Sequence, residues 1–166
     1  MSAYELAQLN IGIIRGPMDS PVMAEFAANL ARINALADAA PGFVWRLQTP
    51  AGDATALRPF DNPDMLLNMS VWRDLESLRQ YVYTSAHVEI MRRRREWFER
   101  MGEAYLVLWW VPRGHRPSIA QALARLAALR ERGAHPQAFT FREHYPPPDA
   151  PQDERPGVTG DTCPAL

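Results

Sequence analysis

Leu66-Leu67-Asn68-Met69-Ser70-Val71-Trp72, a charged and aromatic run from Asp74 to Met101, and then Ala104-Tyr105-Leu106-Val107-Leu108-Trp109-Trp110-Val111 decide how this chain folds. The first and last pieces are rich in residues that suit a pleated, half-buried surface. The first piece alternates, with Leu67, Met69 and Val71 on one phase and Asn68, Ser70 and Trp72 on the other. The last is almost continuously apolar, as a strand buried on both faces is. The run between them has helical periodicity. The stretch therefore reads as strand, helix, strand.

The residues before it repeat the plan. Leu6 to Ile14 is a strand in which Ala7, Leu9, Ile11 and Ile13 alternate with Leu6, Gln8, Asn10 and Gly12. Asp19 or Ser20 caps a helix with Pro21 in its first turn. That helix runs to about Ala40, with Val22, Phe26, Leu30, Ile33 and Ala37 as its apolar stripe, and Pro41-Gly42 ends it. Phe43 to Gln48 is a second strand, with Phe43, Trp45 and Leu47 opposite Val44 and Arg46. Residues 49–64 read as a loop. Asp74 caps the next helix. Its phase shifts near Thr84-Ser85, and a second helical segment continues to Met101 and stops at Gly102.

The order β-α-β-β-α-β predicts an α+β, ferredoxin-like fold with a four-stranded antiparallel sheet. Helices on one face would leave Ala7, Leu9, Ile11, Leu67, Met69 and Val71 on an uncovered face. A second copy of the same sheet is the simplest cover. A homodimer, a dimeric α+β barrel, is expected. Beyond the core, Ser118 caps a C-terminal helix carrying Ile119, Ala122, Leu123, Leu126 and Leu129, with Gly133 after its end. Phe139-Thr140-Phe141 forms a short strand or a strap. The domain division is 1–145 for the barrel with its helical extension, and 146–166 for a Pro-rich flexible tail.

Composition excludes several functions. Eighteen Lys and Arg against 19 Asp and Glu leave no field for gathering nucleic acid. Arg92 to Arg95 form a basic run that Glu89, Glu96 and Glu99 offset. The one Cys, Cys163, lies in the tail, so no disulfide framework exists. No apolar run approaches the roughly 18 residues of a membrane span. The N-terminus carries no secretory pattern, and a cytoplasmic protein is expected. Phosphate loops, paired metal-ligand motifs and nucleophile elbows are absent. Ser85 and His87, two apart on a helix, make a poor nucleophile and base.

What stands out is polarity in the core. If the apolar phase of the strands faces a partner, Gln8, Asn10, Asn68, Ser70 and Trp72 face the chain's own helices, with Arg46 beside them. A core does not accept unpartnered amides. At about 100° per residue, His87, Ile90, Met91, Arg94, Trp97, Phe98 and Met101 share one helix side. Arg94 in mid-stripe calls for a carboxylate, carbonyls or an anionic ligand. Each residue has a plain structural reading too: an Asn10–Asn68 pair, a His87 bonded to backbone, an Arg94 bridged to Glu25 or to the sheet's carbonyls or snorkelling out, and Trp72, Trp97, Trp109 and Trp110 as core. Taken together, an amide-rich sheet face opposite a His/Arg helix face describes a pocket with a few fixed polar groups.

Val71-Trp72, Asp74-Leu75-Glu76-Ser77-Leu78 and Tyr83-Thr84-Ser85-Ala86-His87 resemble the third strand and second helix of the antibiotic-biosynthesis monooxygenase-like superfamily, the dimeric α+β barrels. Trp109-Trp110-Val111-Pro112-Arg113-Gly114-His115-Arg116-Pro117 and Ala138-Phe139-Thr140-Phe141 resemble a narrower, largely uncharacterised bacterial branch. The resemblance covers about residues 4–111, and its branch-specific part reaches about residue 148. It implies a pocket between sheet and helices. In the cofactor-independent oxygenases of that superfamily an Asn and a Trp spaced as Asn68 and Trp72 hold a phenolic polyketide, and a helix Tyr, matched by Tyr81, assists. In haem-degrading members Asn10 matches a first-strand Asn, Tyr81 stands where a Trp belongs, and Met91 falls where the axial His belongs, with His87 one turn earlier. The main expectation is therefore an enzyme without cofactor, a monooxygenase or a cyclase or isomerase, acting on a planar, enolisable or phenolic small molecule. Its catalytic residues are His87, Arg94, Tyr81, Asn68 and Trp72, and its substrate-binding residues Gln8, Asn10, Arg46, Ser70, Met91, Trp97 and Trp109. The alternatives are a non-catalytic dimeric ligand-binding protein and a haem-binding or haem-degrading one. No bound metal is expected.

Overall fold

The computed structural model describes residues 1–84, 86–151 and 157–158. Its elements are β1 (Tyr4–Ile13), α1 (Ala24–Asp38), β2 (Phe43–Arg46), β3 (Met65–Trp72), α2 (Leu75–Thr84), α3 (His87–Arg92), α4 (Arg94–Trp97), β4 (Leu106–Pro112), α5 (Ile119–Arg132), β5 (Glu143–His144) and β6 (Gly157–Val158). The main sheet has the order β2-β3-β1-β4, antiparallel at every pairing. This is the α+β, ferredoxin-like arrangement read from the sequence. Ser85 and Cys163 lie outside the described residues, as does most of the expected tail.

Register sorts the two faces as the alternation implies. Gln8 pairs with Ser70, Asn10 with Asn68 and Leu6 with Trp72, so all six share the helix-side face. Ala7, Leu9 and Ile11 pair with Val71, Met69 and Leu67 on the other face, and Val107, Trp109 and Val111 extend it. β2 departs from the expected alternation. A bulge between Phe43 and Trp45 resets its phase, and Phe43 joins Trp72 in the helix-side core while Val44, Trp45 and Leu47 pack on the other side. Arg46 stays on the expected helix side, beside Asn68 and Ser70.

The face expected to wait for a second copy is covered by the chain itself. Ala122, Leu126 and Leu129 of α5 and Ala138 pack on Ala7, Leu9, Val107 and Trp109, and the cluster is buried throughout. α5 is positioned by a capping box, in which Ser118 Oγ accepts from Gln121 N at 3.2 Å and Gln121 Oε1 accepts from Ser118 N at 3.0 Å. Gly133 closes it at φ 76°, a backbone state that favours glycine. The premise for a sheet-on-sheet dimer is thus corrected: the apolar surface is buried within one chain.

The second helical segment also differs. It breaks at Arg93 and ends at Trp97 rather than Met101. Phe98 is extended and Ile14 bridges to it. The ring of Phe98 lies over Gly12, where a Cβ would sit 2.6 Å from its Cδ1. Only glycine allows this approach. At the N-terminal end, α1 starts at Ala24, with Met23 at its N-cap position and no side-chain cap, so Asp19 and Ser20 do not cap it. Asp74 does cap α2, its Oδ1 accepting from Ser77 N at 2.7 Å.

Phe139 forms the expected strap. Its N–H and C=O bond with those of Leu108 at 2.8 Å each way, closing the β4 edge. The stretch after residue 145 begins as a tied segment: the Asp149 carboxylate accepts from Ser2 Oγ at 2.7 Å and Ala3 N at 2.6 Å. β6 pairs with β5.

Candidate functional site

The polar residues of the sheet's helix side form one bonded chain. Asn10 Nδ2 donates to Gln8 Oε1 at 3.1 Å. Gln8 Nε2 donates to Asn68 Oδ1 at 2.7 Å and to Ser70 Oγ at 3.0 Å. Trp72 Nε1 donates to the same Ser70 Oγ at 2.8 Å. This answers how a core accepts two Asn, a Gln and a Ser. Alternate residues of β1 and β3 lie opposite one another on one face, so amides two apart reach across and along the strands.

Opposite this floor stands an aromatic column. Trp72 stacks on Tyr81 with ring centroids 5.1 Å apart and 26° between planes. Tyr81 lies 4.8 Å from the His87 ring. Phe43 meets Trp72 edge-on at 5.4 Å. The Tyr81 hydroxyl donates to Ile33 O at 3.2 Å, which ties α2 to α1. Burial raises its pKa, Asp38 raises it further, and Arg46 opposes both. Tyr81 therefore stays protonated. His87 is 1% exposed. Desolvation lowers its pKa to about 4, against a hydrogen bond to the Val82 backbone that favours the charged form. At neutral pH it is an uncharged imidazole.

Two adjoining hollows lie on the floor, and the column bounds the first of them. One, of about 50 Å3, is bounded by the amide floor, Trp72, Tyr81, His87 and Met91, with Phe141 of the C-terminal strap closing it. The other, about 80 Å3, lies toward the 49–64 loop and is bounded by Asn29, Asp53, Thr55 and Phe98. Asn10, Ile33, Asn34, Arg46 and Asn68 line both. At the rim Arg46 is engaged on three sides. Its Nε and Nη2 grip the two Asp38 oxygens at 2.8 and 3.1 Å, and Nη1 donates to Gly52 O at 2.6 Å.

Of the residues singled out in the sequence, Gln8, Asn10, Arg46, Asn68, Ser70, Trp72, Tyr81, His87 and Met91 come together here. Arg94, Trp97 and Trp109 do not. Arg94 lies between the rings of Phe98 and Tyr105, its Cζ 5.0 and 4.7 Å from their centroids, and Nη2 reaches Ile11 O at 3.4 Å. The break at Arg93 rotates it out of the stripe that a continuous helix would give. Trp97 packs with Phe26, 5.7 Å away. Trp109 lies under α5 on the opposite face. Asn34 and Phe141 line the site without having been singled out. Asn34 follows Ile33 at the edge of the α1 stripe, and that flanking amide was the signal to follow. Nothing local marks Phe141, because a strap's destination is set by tertiary pairing. The hollows and the buried position of His87 do not fit a porphyrin. Among the described residues no group of three or more His, Cys, Asp or Glu could hold a metal ion.

A family model described as a domain of unknown function, DUF3291, matches residues 5–155. No curated protein matches the chain. Among solved structures it is similar to SnoaB, a cofactor-independent oxygenase from Streptomyces nogalater, at 21% identity over 70% of this chain and 98% of that one, with a TM-score of 0.47. It is similar to NE2512, a protein of unknown function from Nitrosomonas europaea, at 13% identity over 70% and 95% of the two chains, with a TM-score of 0.44. A protein from Chloroflexus aurantiacus, provisionally assigned as an antibiotic biosynthesis monooxygenase, is 14% identical over 69% and 98%, with a TM-score of 0.42.

Proposed function

The chain belongs to the DUF3291 family, and we propose that it is a small-molecule enzyme that moves a proton on a planar, enolisable molecule held between the amide floor and the Trp72–Tyr81–His87 column. The observation that supports this most is the column itself. It sets an uncharged imidazole 4.8 Å from the ring of a protonated Tyr, beside hollows that amides line.

In this reading the flat substrate lies in the first hollow, against the Trp72–Tyr81–His87 column. The amide floor binds a carbonyl oxygen and follows it as it gains enolate character. His87 takes the proton from the adjacent carbon and returns it elsewhere. A base of pKa about 4 holds that proton only briefly, which suits a shuttle rather than a resting reservoir. The resulting enolate is the common precursor of isomerisation, cyclisation or direct reaction with oxygen. No metal or organic cofactor enters the proposal. Every side chain in it comes from one chain, so the homodimer expected from sequence is not required by it. A cytoplasmic setting and a role in natural-product metabolism belong to the same proposal.

The test uses 2-indanone, a flat ketone with exchangeable α-hydrogens. NMR follows deuterium wash-in at its α-carbons, and an oxygen electrode runs alongside. The protein should accelerate wash-in, and His87→Ala should lower that acceleration by roughly tenfold or more. Equal acceleration by both proteins would contradict the role of His87. A second reading, binding without catalysis, is favoured by the mutual satisfaction of Gln8, Asn68, Ser70 and Trp72. It predicts that 2-indanone binds but its hydrogens do not exchange.

A further inference from the structure

The polarity of the amide floor follows from Trp72. An indole N–H can only donate, so Ser70 Oγ must accept from it, which leaves the serine proton to be given away. Gln8 spends both amide hydrogens, on Asn68 Oδ1 and Ser70 Oγ, and its own Oε1 accepts from Asn10. The oxygens of Gln8, Asn68 and Ser70 are thereby used as acceptors within the chain. What the floor has left for the hollows is three donors, the amide nitrogen of Asn68, the second hydrogen of Asn10 Nδ2 and the Ser70 hydroxyl, with the Asn10 carbonyl oxygen and the Asn34 amide beside them to receive the N–H of an amide ligand. Asn10 and Asn68 line both hollows and Ser70 lines the first, so the two asparagines sit where the spaces meet.

The charges around this point are already matched. In the first hollow the titratable or charged groups are Arg46, Tyr81 and His87; the second adds Asp53. Arg46 is held by both oxygens of Asp38. Asp53 Oδ1 accepts from Thr55 N at 2.8 Å and Thr55 Oγ1 at 2.6 Å. His87 is uncharged at neutral pH and Tyr81 protonated, both through burial. Arg94, the cation that would have met an anion, lies elsewhere, against Phe98 and Tyr105. A charged ligand would lose its hydration here without gaining an opposite charge. An uncharged acceptor oxygen would lose little and gain two or three donors.

We infer that the site selects an uncharged molecule bearing a carbonyl or amide oxygen, seated on Asn68 and Asn10, and discriminates against carboxylates of the same shape. The inference rests on the proposal that the hollows form a ligand site, and it names the charge class of what they take.

Benzamide and benzoate form a nearly isosteric pair that differs in charge. Titrations at pH 7 of uniformly 15N-labelled full-length protein follow the side-chain amide signals of Asn68 and Asn10. Benzamide should shift both and bind at least about tenfold more tightly than benzoate. Asn68→Asp keeps the acceptor for Gln8 but removes the donors, so it should weaken benzamide by about tenfold without gaining benzoate. Its melting temperature reports whether it folds, and the comparison of the two ligands on the unaltered protein stands without it. Benzoate binding as well as benzamide would overturn the charge rule and leave a ligand site in place. Binding of neither would overturn both that rule and the ligand-site proposal beneath it.

Discussion

His87 couples the site to stability through its charge. It is uncharged in the fold with a pKa of about 4, against 6.5 for an ordinary histidine. The unfolded chain therefore binds more protons between those values, and stability contributed at this position is intact above pH 6.5 and lost as pH falls toward 4. The loss amounts to about 3 kcal/mol at about 1.4 kcal/mol per pH unit. Urea unfolding at pH 7 and pH 4.5 should show His87→Gln losing less stability than the unaltered protein on acidification, which separates this residue from the carboxylates that titrate in the same range. The proposed base role makes a linked prediction. The acidic limb of the 2-indanone exchange rate should fall near pH 4, whereas a limb near pH 6.5 would place the base elsewhere. Arg94 shows the opposite case. Its stacking on Phe98 and Tyr105 is worth about 1 kcal/mol. Arg94→Met should cost about that much in urea unfolding and leave the exchange rate within about twofold. A tenfold loss of rate would return Arg94 to the site.

The elements show which features the sequence made legible. Alternation in β1 and β3 placed Gln8, Asn10, Asn68, Ser70 and Trp72 on one face, because period two is a local property of the backbone and survives any packing. Helical phase proved less secure. A count of 100° per residue through Arg93 needs a continuity that the break between α3 and α4 removes, and Arg94 was misplaced by it, whereas Trp97 stays buried with Ile90 and Phe98. A single bulged residue in β2 likewise moved Phe43 to the helix side, while Arg46 kept the side expected for it. The start and end of α5 were legible, since its capping box and Gly133 are local signals. Its destination was not, because an amphipathic stripe does not say which apolar surface it covers. Leu126 is 3% exposed against the outer sheet face. Leu126→Ala should cost about 2–4 kcal/mol in urea unfolding. Leu126→Asp should bare the sheet and raise binding of an apolar dye such as ANS. No change in either would mean that α5 does not hold that face.

At the scale of the molecule, the architecture was readable from element order, and the cover of the outer sheet face was not. The expectation of a dimer followed from an apolar sheet face with nothing to cover it. α5 supplies that cover, and Phe139 closes the β4 edge. Sedimentation equilibrium of the full chain should give the mass of one 18.8 kDa chain; twice that mass would contradict this. The same closure bears on function. One face is covered by α5, and the other, packed by α1 and α2, holds the amide floor on which the proposal rests. Asn34 from α1 and Phe141 from the strap complete it, contributions that only the tertiary fold brings together.

The central claim is that a ligand enters beside Trp72 and not elsewhere in the core. Five tryptophans make this directly measurable. With 5-fluorotryptophan in place of each, assigned by single Trp→Phe variants, 19F NMR during a 2-indanone titration should move the Trp72 resonance, while Trp97 and Trp109, which lie outside the hollows, stay fixed. A shift at Trp97 or Trp109 with Trp72 unmoved would contradict the account.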